Sequence, residues 1–211
     1  MYIAIEGVIG VGKTTLARLL QPAFQADLLL EIFEENPFLS DFYGDRERYA
    51  FQTQIFFLLS RYHQQRKGVR EALGGNSWLI SDYTFEKDRL FAEVNLAGDE
   101  LEMYFKVHEA LAEKITPPDL VVYLQADTEV LMHRIAQRDR HYERQMAVDY
   151  INTLNHTYED HFARYPAGMV LPINTNEIDY VRSDDDLALV SQRIRQALKL
   201  APFQESLPID L

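Results

Sequence analysis

Short apolar runs alternate with longer amphipathic segments along the chain, a pattern typical of βα units around a parallel sheet. Five runs predict strands buried on both faces: Tyr2–Ile5, Ala26–Leu30, Trp78–Ser81, Leu120–Leu124 and Met169–Ile173. The amphipathic segments predict helices at Thr14–Phe24, Arg46 to about Arg70, Asp99–Ile115, Thr128–Gln137, Arg144–Arg164 and Asp184–Leu198. The pattern therefore predicts an α/β fold with a five-stranded parallel sheet flanked by helices.

Composition and charge narrow the class of protein. The 211 residues are 47% hydrophobic and 26% charged, the balance of an ordinary globular protein, and we expect one domain over residues 1–211. The absence of cysteine excludes disulfides, thiolate metal sites and a cysteine nucleophile. A net charge of −12 argues against nucleic acid as a partner.

Targeting signals are not evident in the pattern. Met1 leads directly into the first predicted strand, without the basic start and apolar core of a signal peptide. No run approaches the roughly 18 apolar residues that a membrane span needs. We therefore expect a cytoplasmic enzyme of bacterial type with no membrane partner.

The most specific motif is a glycine-rich loop between the first strand and the first helix. It matches G-x-x-x-x-G-K-[ST] in full. Backbone N–H groups and the helix N-terminus bind phosphate oxygens in such a P-loop. We expect Lys13 to contact the β- and γ-phosphates of ATP and the Thr14 hydroxyl to ligate Mg²⁺. The predicted nucleotide-binding set is Gly7, Gly10, Val11, Gly12, Lys13, Thr14 and Thr15.

Carboxylates follow the second and third strands. Glu31, Glu34 and Glu35 follow the second strand, and Asp82 follows the third. Because ligands of open α/β sheets bind at the carboxyl ends of the strands, we expect these side chains near the P-loop. A carboxylate there can accept the proton of an attacking hydroxyl. For Glu34 and Glu35, a solvated acidic loop is the favoured interpretation.

Three further segments place polar residues at defined spacings. Gln54 precedes Arg61 by seven residues, the segment Ser81–Ala92 contains Asp88, and Arg134–Glu143 is rich in arginine. With the P-loop, this ordered set resembles the deoxyribonucleoside kinase family over essentially the whole chain. The resemblance implies a P-loop kinase fold with an arginine-rich lid. It also implies ATP-dependent phosphorylation of the 5′-hydroxyl of deoxyadenosine, deoxyguanosine or deoxycytidine to the 5′-monophosphate, a nucleotide salvage reaction.

The resemblance gives roles to two residues in particular. Glu31 stands where the family has its general base, and Glu34 stays a second candidate because the proline that usually follows is absent. Gln54 matches the glutamine that pairs with the nucleobase, with Gln52 as the competing register. An amide suits that role because it presents a donor and an acceptor together.

Other substrate-side residues follow from the same resemblance. Arg61 and Asp88 match an ion pair characteristic of members that prefer purine nucleosides or deoxycytidine. Phe91 would lie on the base, and Tyr43 matches the tyrosine that contacts the sugar 3′-hydroxyl. Asp82 matches the acid that holds Mg²⁺ near the phosphates.

The predicted lid consists of Arg134, Arg138, Arg140 and Glu143. Arginine forks suit the oxygens of a transferring phosphoryl group, so Arg138 and Arg140 are predicted to be catalytic and Arg134 and Arg138 to contact ATP. Glu143 matches the lid acid that reaches the 3′-hydroxyl. One departure stands out: Tyr83 occupies the position of a family arginine that contacts the 5′-oxygen and the catalytic glutamate.

Two other functions fit the P-loop. A thymidylate-type nucleoside monophosphate kinase would need to bind an acceptor phosphate, which the acidic segment Glu31–Asp41 repels. A nucleotide-dependent regulatory module would need no sugar and base pocket. In the family, long helices such as Arg46–Arg70 and Asp99–Ile115 pair across a two-fold axis, so we expect a homodimer formed through a helix bundle.

Overall fold

The computed structural model describes residues 1–32, 36–75, 77–166 and 168–200. Glu34 and Glu35, Asn76 and the tail from Ala201 lie outside the described residues.

Five parallel strands form one sheet in the order β2-β3-β1-β4-β5. Their bounds are β1 Tyr2–Glu6, β2 Ala26–Leu29, β3 Trp78–Ser81, β4 Leu120–Gln125 and β5 Val170–Asn174. The predicted fold class is confirmed, and each observed strand overlaps its prediction closely. All five strands run the same way, so their carboxyl ends meet along one edge, with the P-loop after the central strand β1.

Eight α-helices of the described residues surround the sheet. Their bounds are α1 Lys13–Phe24, α2 Leu39–Gly44, α3 Arg46–Gly74, α4 Glu86–Asn95, α5 Gly98–Ala112, α6 Thr128–Arg138, α7 Val148–Phe162 and α8 Asp184–Ala197. Six of them were predicted. The pattern missed α2, which is only six residues long, and α4, whose first turn buries the charged side chains Lys87 and Asp88.

The helix α7 begins four residues later than predicted. His141–Glu143 forms a 3₁₀ turn before it. The Arg144 guanidinium donates to the Asp139 carboxylate at 2.7 and 2.8 Å, which ties this segment to the end of α6. The chain therefore enters α7 at Val148 rather than at Arg144.

The core has two parts. The larger includes the buried faces of β1, β4, α1 and α7, and a smaller cluster lies between β1, β2, β3 and α3. The smaller cluster consists of Tyr2, Ala4, Leu29, Val69, Ala72, Leu79 and Tyr83. In the part of the chain that the structure describes, no helix has the length and apolar character needed to cross a membrane.

Candidate active site

The P-loop adopts a backbone conformation that requires glycine at defined positions. Gly7 has φ +145°, and a Cβ there would lie 2.5 Å from the Leu124 carbonyl oxygen. Gly12 has φ +105°, and a Cβ there would lie 2.2 Å from the Tyr180 hydroxyl. Side chains at these positions would meet steric clashes and an unfavourable backbone region. The loop therefore keeps its backbone accessible to a ligand.

Lys13 opens α1 and turns back over the loop. Its ammonium donates to the carbonyl oxygens of Gly7 at 2.7 Å and Val8 at 3.1 Å. Burial and the nearby charge of Lys87 lower the pKa of Lys13 to about 7, against the opposing effect of Glu6, Glu31 and Asp82. An anionic ligand would restore the charged form, since phosphate oxygens stabilise an ammonium.

A hydroxyl and a carboxylate meet beside Lys13. The Thr14 hydroxyl donates to Asp82 Oδ2 at 2.5 Å, and Asp82 Oδ1 accepts from the Glu31 backbone N–H at 2.8 Å. No group of three or more His, Asp or Glu side chains suited to a metal occurs among the described residues. Mg²⁺ usually takes one or two protein oxygens and completes its shell with waters and phosphates. The Thr14 and Asp82 oxygens fit that requirement.

Glu31 lies between two cations from different helices. Its Oε1 accepts from Arg61 Nε at 3.0 Å and from Arg61 Nη2, and its Oε2 accepts from Lys87 Nζ at 2.5 Å. Burial alone would raise the pKa of Glu31, but Arg61 and Lys87 outweigh burial and hold this pKa well below its usual range. The carboxylate is therefore ionised.

Asp88 supports Arg61 from the opposite side. Arg61 Nη1 donates to Asp88 Oδ1, and the Asp88 side chain has no exposed surface. Burial raises the pKa of Asp88 to about 6, although the Arg61 charge lowers it. Asp88, placed on the substrate side of the site by the resemblance, is not among the residues that line the cleft, whereas its partner Arg61 is. The predicted Arg61–Asp88 ion pair does form.

One cleft collects most of the predicted site. It encloses about 790 Å³ of space between the side chains, including its open mouth. Its charged lining comprises five basic and three acidic residues: Lys13, Arg61, Lys87, Arg138 and Arg140 against Glu31, Asp82 and Glu143. A cationic cleft in a chain of net charge −12 favours an anionic ligand.

The same cleft includes side chains suited to an aromatic base. Gln54 is buried, lines the cleft, and leaves its Oε1 without a hydrogen-bond partner. Phe91 and Tyr43 also line the cleft, and Tyr43 stacks on Tyr142 with ring centroids 6.1 Å apart. The competing residue Gln52 is exposed and is not among the lining residues, which favours Gln54. The spacing of seven places Gln54 and Arg61 on one face of α3.

The lid residues lie on both sides of the P-loop. Arg138 donates to both Glu143 carboxylate oxygens at 2.7 Å, and Arg140 lies 3.7 Å from the same carboxylate. Arg134 instead donates to the Thr175 carbonyl at 2.6 Å and lines a second cleft with Gly12, Thr15 and residues 176–182. Arg134 therefore faces the far side of the P-loop from Glu31.

Tyr83 does not face the cleft. Its side chain is fully buried in the smaller core cluster, and its hydroxyl donates to Gln64 Oε1 at 2.5 Å. Gln64 in turn donates to the Leu30 carbonyl at 2.8 Å. The phenol therefore supports the end of β2 from behind.

Two residues that sequence reasoning missed belong to the site. Lys87 contacts Glu31, and buried Glu6 accepts from the N–H of Gly7 at 3.0 Å and the N–H of Thr84 at 2.6 Å. Glu6 thereby joins the P-loop to the segment before α4. Only its position directly before the glycine loop could have suggested Glu6, and Lys87 lies on the helix that the pattern did not predict.

Comparison with known proteins agrees with this geometry. The deoxynucleoside kinase family model matches residues 3–199. The chain belongs to the deoxynucleoside kinase family.

Curated members of this family are similar over nearly their whole length. Deoxyguanosine kinase of Bacillus subtilis (strain 168) is 32% identical, covering 93% of this chain and 97% of the relative. Deoxyadenosine/deoxycytidine kinase of the same organism is 30% identical, covering 93% and 92%.

A solved structure shares the fold. The structure of deoxyadenosine kinase from M. mycoides with the products dCMP and a flexible dCDP bound has a TM-score of 0.79 and 25% identity. The match covers 93% of this chain and 99% of that one. This deoxynucleoside kinase therefore has the P-loop kinase fold of its relatives.

The buried position of Tyr83 yields a first prediction. Tyr83→Phe removes the hydrogen bond to Gln64, so we expect a loss of about 1–2 kcal/mol in the free energy of unfolding. Turnover should change by less than about threefold, because the hydroxyl does not reach the cleft. Urea unfolding and steady-state kinetics measure the two quantities. A large fall in kcat with unchanged stability would contradict the core assignment.

The lowered pKa of Lys13 yields a second prediction. Nucleotide phosphates bind the charged amine, so ADP binding above about pH 7 must take up a proton. The affinity for ADP should be highest below the pKa that Lys13 has in the ligand-free protein. Above that pKa, the affinity should fall by up to about tenfold per pH unit. Isothermal titration near pH 8 in two buffers of different ionisation enthalpy measures that uptake. Lys13→Met should bind weakly with no such uptake; equal uptake in both proteins would refute the assignment.

Proposed function

We propose that the protein transfers the γ-phosphoryl group of ATP to the 5′-hydroxyl of a deoxyribonucleoside. The observation that carries this proposal is that one cleft holds P-loop side chains, an ionised Glu31 and the unpartnered amide oxygen of Gln54. A phosphate site, a base for the hydroxyl and a partner for a nucleobase are the parts that the reaction needs.

Glu31 is the proposed base. Its carboxylate is ionised, lines the cleft beside Lys13 and Thr14, and is held by Arg61 and Lys87. It orients the 5′-hydroxyl and accepts its proton as the oxygen attacks phosphorus. The guanidinium groups of Arg138 and Arg140 can exchange contacts with Glu143 for contacts with the phosphoryl oxygens, whose charge they then stabilise.

Thr14 and Asp82 are the proposed Mg²⁺ partners, directly or through water. Bound there, the ion would neutralise charge on the phosphates of ATP. The second cleft, with Arg134 and residues 176–182, is the proposed site for the nucleoside portion of ATP, because it adjoins Gly12 and Thr15 on the other side of the loop.

Gln54 is the proposed contact of the nucleobase. Its buried Oε1 needs an N–H donor. The exocyclic amino groups of adenine, guanine and cytosine supply one, and the N3–H of thymine supplies one as well, so Gln54 by itself does not discriminate against thymidine. The Arg61–Asp88 pair, which the family resemblance associates with members that prefer purine nucleosides or deoxycytidine, favours deoxyguanosine, deoxyadenosine and deoxycytidine over thymidine. Such a nucleotide salvage reaction fits the cytoplasm, where ATP is made and used.

A homodimer is proposed as the assembly. The neighbouring helices α3 and α5 each expose a large apolar side chain, Leu59 at 42% and Met103 at 57%. Pairing of these helices with a second copy would bury both residues in a helix bundle.

A panel of the four deoxynucleosides tests the proposed activity. With ATP and Mg²⁺, coupled ADP release should be at least about tenfold faster with one amino-bearing nucleoside than with thymidine, in kcat/KM. Identification of the product as the 5′-monophosphate completes the assay.

Glu31→Gln is the matched control for the panel. The amide keeps the shape but loses the charge, so kcat should fall by about 10²–10⁴-fold while ADP still binds. Near-normal turnover in this variant would exclude Glu31 as the base. Slow ATP hydrolysis that no nucleoside stimulates would reject the proposed function.

The dimer is tested by sedimentation. We expect a species of twice the chain mass of 24.6 kDa. The double substitution Leu59→Glu/Met103→Glu should dissociate it, because burying carboxylates at an interface is unfavourable. Leu189→Glu, at an equally exposed residue of α8, should leave it intact. A wild-type protein that sediments as one chain at all concentrations would contradict the proposal.

A further inference from the structure

The cation at the second oxygen of Glu31 comes from an unexpected position. The resemblance places an arginine where this chain has Tyr83, and Tyr83 is buried in the smaller core cluster. The ammonium of Lys87, four residues later on α4, donates to Glu31 Oε2 at 2.5 Å. Its side chain is 7% exposed, so its charge faces the cleft and not the bulk solvent.

Lys87 lies within reach of the phosphate site. It lines the same cleft as Gly10, Lys13 and Thr14. The start of α4 is fixed to the P-loop by Glu6, which accepts from Gly7 on one side and from the Thr84 N–H and hydroxyl on the other. The position of Lys87 relative to bound phosphate is therefore set by a short, buried chain of hydrogen bonds.

We propose that Lys87 is a catalytic residue that passes its hydrogen bond from Glu31 to the phosphoryl group during transfer. This inference rests on the proposed function and deepens it. It assigns to a lysine on a different element the contact that Tyr83 cannot make.

The charge balance around Glu31 supports this role. Glu31 and Asp88 carry two negative charges, and Arg61 and Lys87 carry two positive charges, so the cluster is neutral before reaction. Arg61 contacts both carboxylates, whereas Lys87 has only Glu31 as an ion-pair partner among the described residues. When Glu31 gains a proton, the net charge of the cluster rises by one. Arg61 then keeps Asp88 as an ion-pair partner, whereas Lys87 is left without an ionised carboxylate partner.

The chemical step follows directly. A lone pair of the 5′-oxygen forms the new bond to the γ-phosphorus, and the bond to the bridging oxygen breaks with its electron pair leaving on ADP. The 5′-proton passes to Glu31. Lys87 then stabilises the phosphoryl oxygens with a charge that Glu31 no longer offsets, so its contribution grows along the reaction.

The pH dependence of Glu31 gives a readout beyond turnover. The charged groups that face Glu31 or share its cleft come from several elements and the segments between them: Lys13, Arg61, Asp82, Lys87, Asp88, Arg138, Arg140 and Glu143. Removing Lys87 leaves Glu31 with one direct cation, so the pKa of Glu31 must rise. The acid limb of the pH profile of kcat/KM should then move to higher pH.

The test compares Lys87→Met, Lys87→Gln and Lys87→Arg in the deoxynucleoside panel. Methionine and glutamine should each lower kcat by about 10²–10³-fold and shift the acid limb upward. Glutamine keeps a hydrogen-bond donor but has no charge, so the glutamine variant still tests the role of the charge if the methionine variant does not fold. Arginine should recover most of kcat and the wild-type pH profile. The exposed Lys114→Met should match the wild type.

Three results would overturn the inference. The first is a glutamine or methionine variant with kcat within about threefold of wild type and an unmoved acid limb. The second is a lower thermal unfolding midpoint in all three variants, with losses that arginine does not rescue, which would make Lys87 a structural residue. The third is a wild-type protein that phosphorylates none of the nucleosides; this rejects the proposed function as well, and so is distinguishable from the other two.

Discussion

The contact of the largely buried Glu31 carboxylate with Arg61 and Lys87 is the interaction around which the site is arranged. It joins the end of β2 to α3 and α4, three elements that are distant in sequence. Removing one partner of such a buried pair costs about 3–5 kcal/mol, because the remaining charge is stranded away from water. The network therefore keeps the ionised carboxylate of Glu31, the proposed base, in place and fixes the walls of the cleft at the same time.

The parallel sheet makes this arrangement possible. With β1 in the centre, its neighbours β3 and β4 and the outer strands direct their following segments to one edge. Asp82 links the two sides of that edge, since it accepts from both Thr14 and the Glu31 backbone. Glu6 makes the corresponding connection beneath, from the P-loop to Thr84. The P-loop is thus connected through two carboxylates to the segments that hold the proposed base, Glu31, and its partner Lys87.

Cations of the cleft have partners within the protein at positions where a ligand would contact them. Lys13 donates to carbonyls of its own loop, and Arg138 is paired with Glu143. Each pair satisfies a charge that would otherwise be unpaired in a partly buried cleft. Phosphate groups can replace these partners with little change in the number of hydrogen bonds, so the cleft is prepared for a polyanion without carrying unpaired cations.

The sequence by itself determined the parts whose chemistry is local. The glycine spacing, Lys13 and Thr14 define the P-loop because its conformation depends on adjacent backbone, and the seven-residue spacing of Gln54 and Arg61 puts both on one helical face. Glu34, the alternative base, lies outside the described residues, while Glu31 lines the cleft. Only tertiary structure decided that Tyr83 enters a core cluster and that Lys87 reaches Glu31 across 56 positions of the chain. Such a contact depends on how α4 packs against α3 and β2. The hydrophobic periodicity of the sequence does not indicate which buried charged groups contact one another.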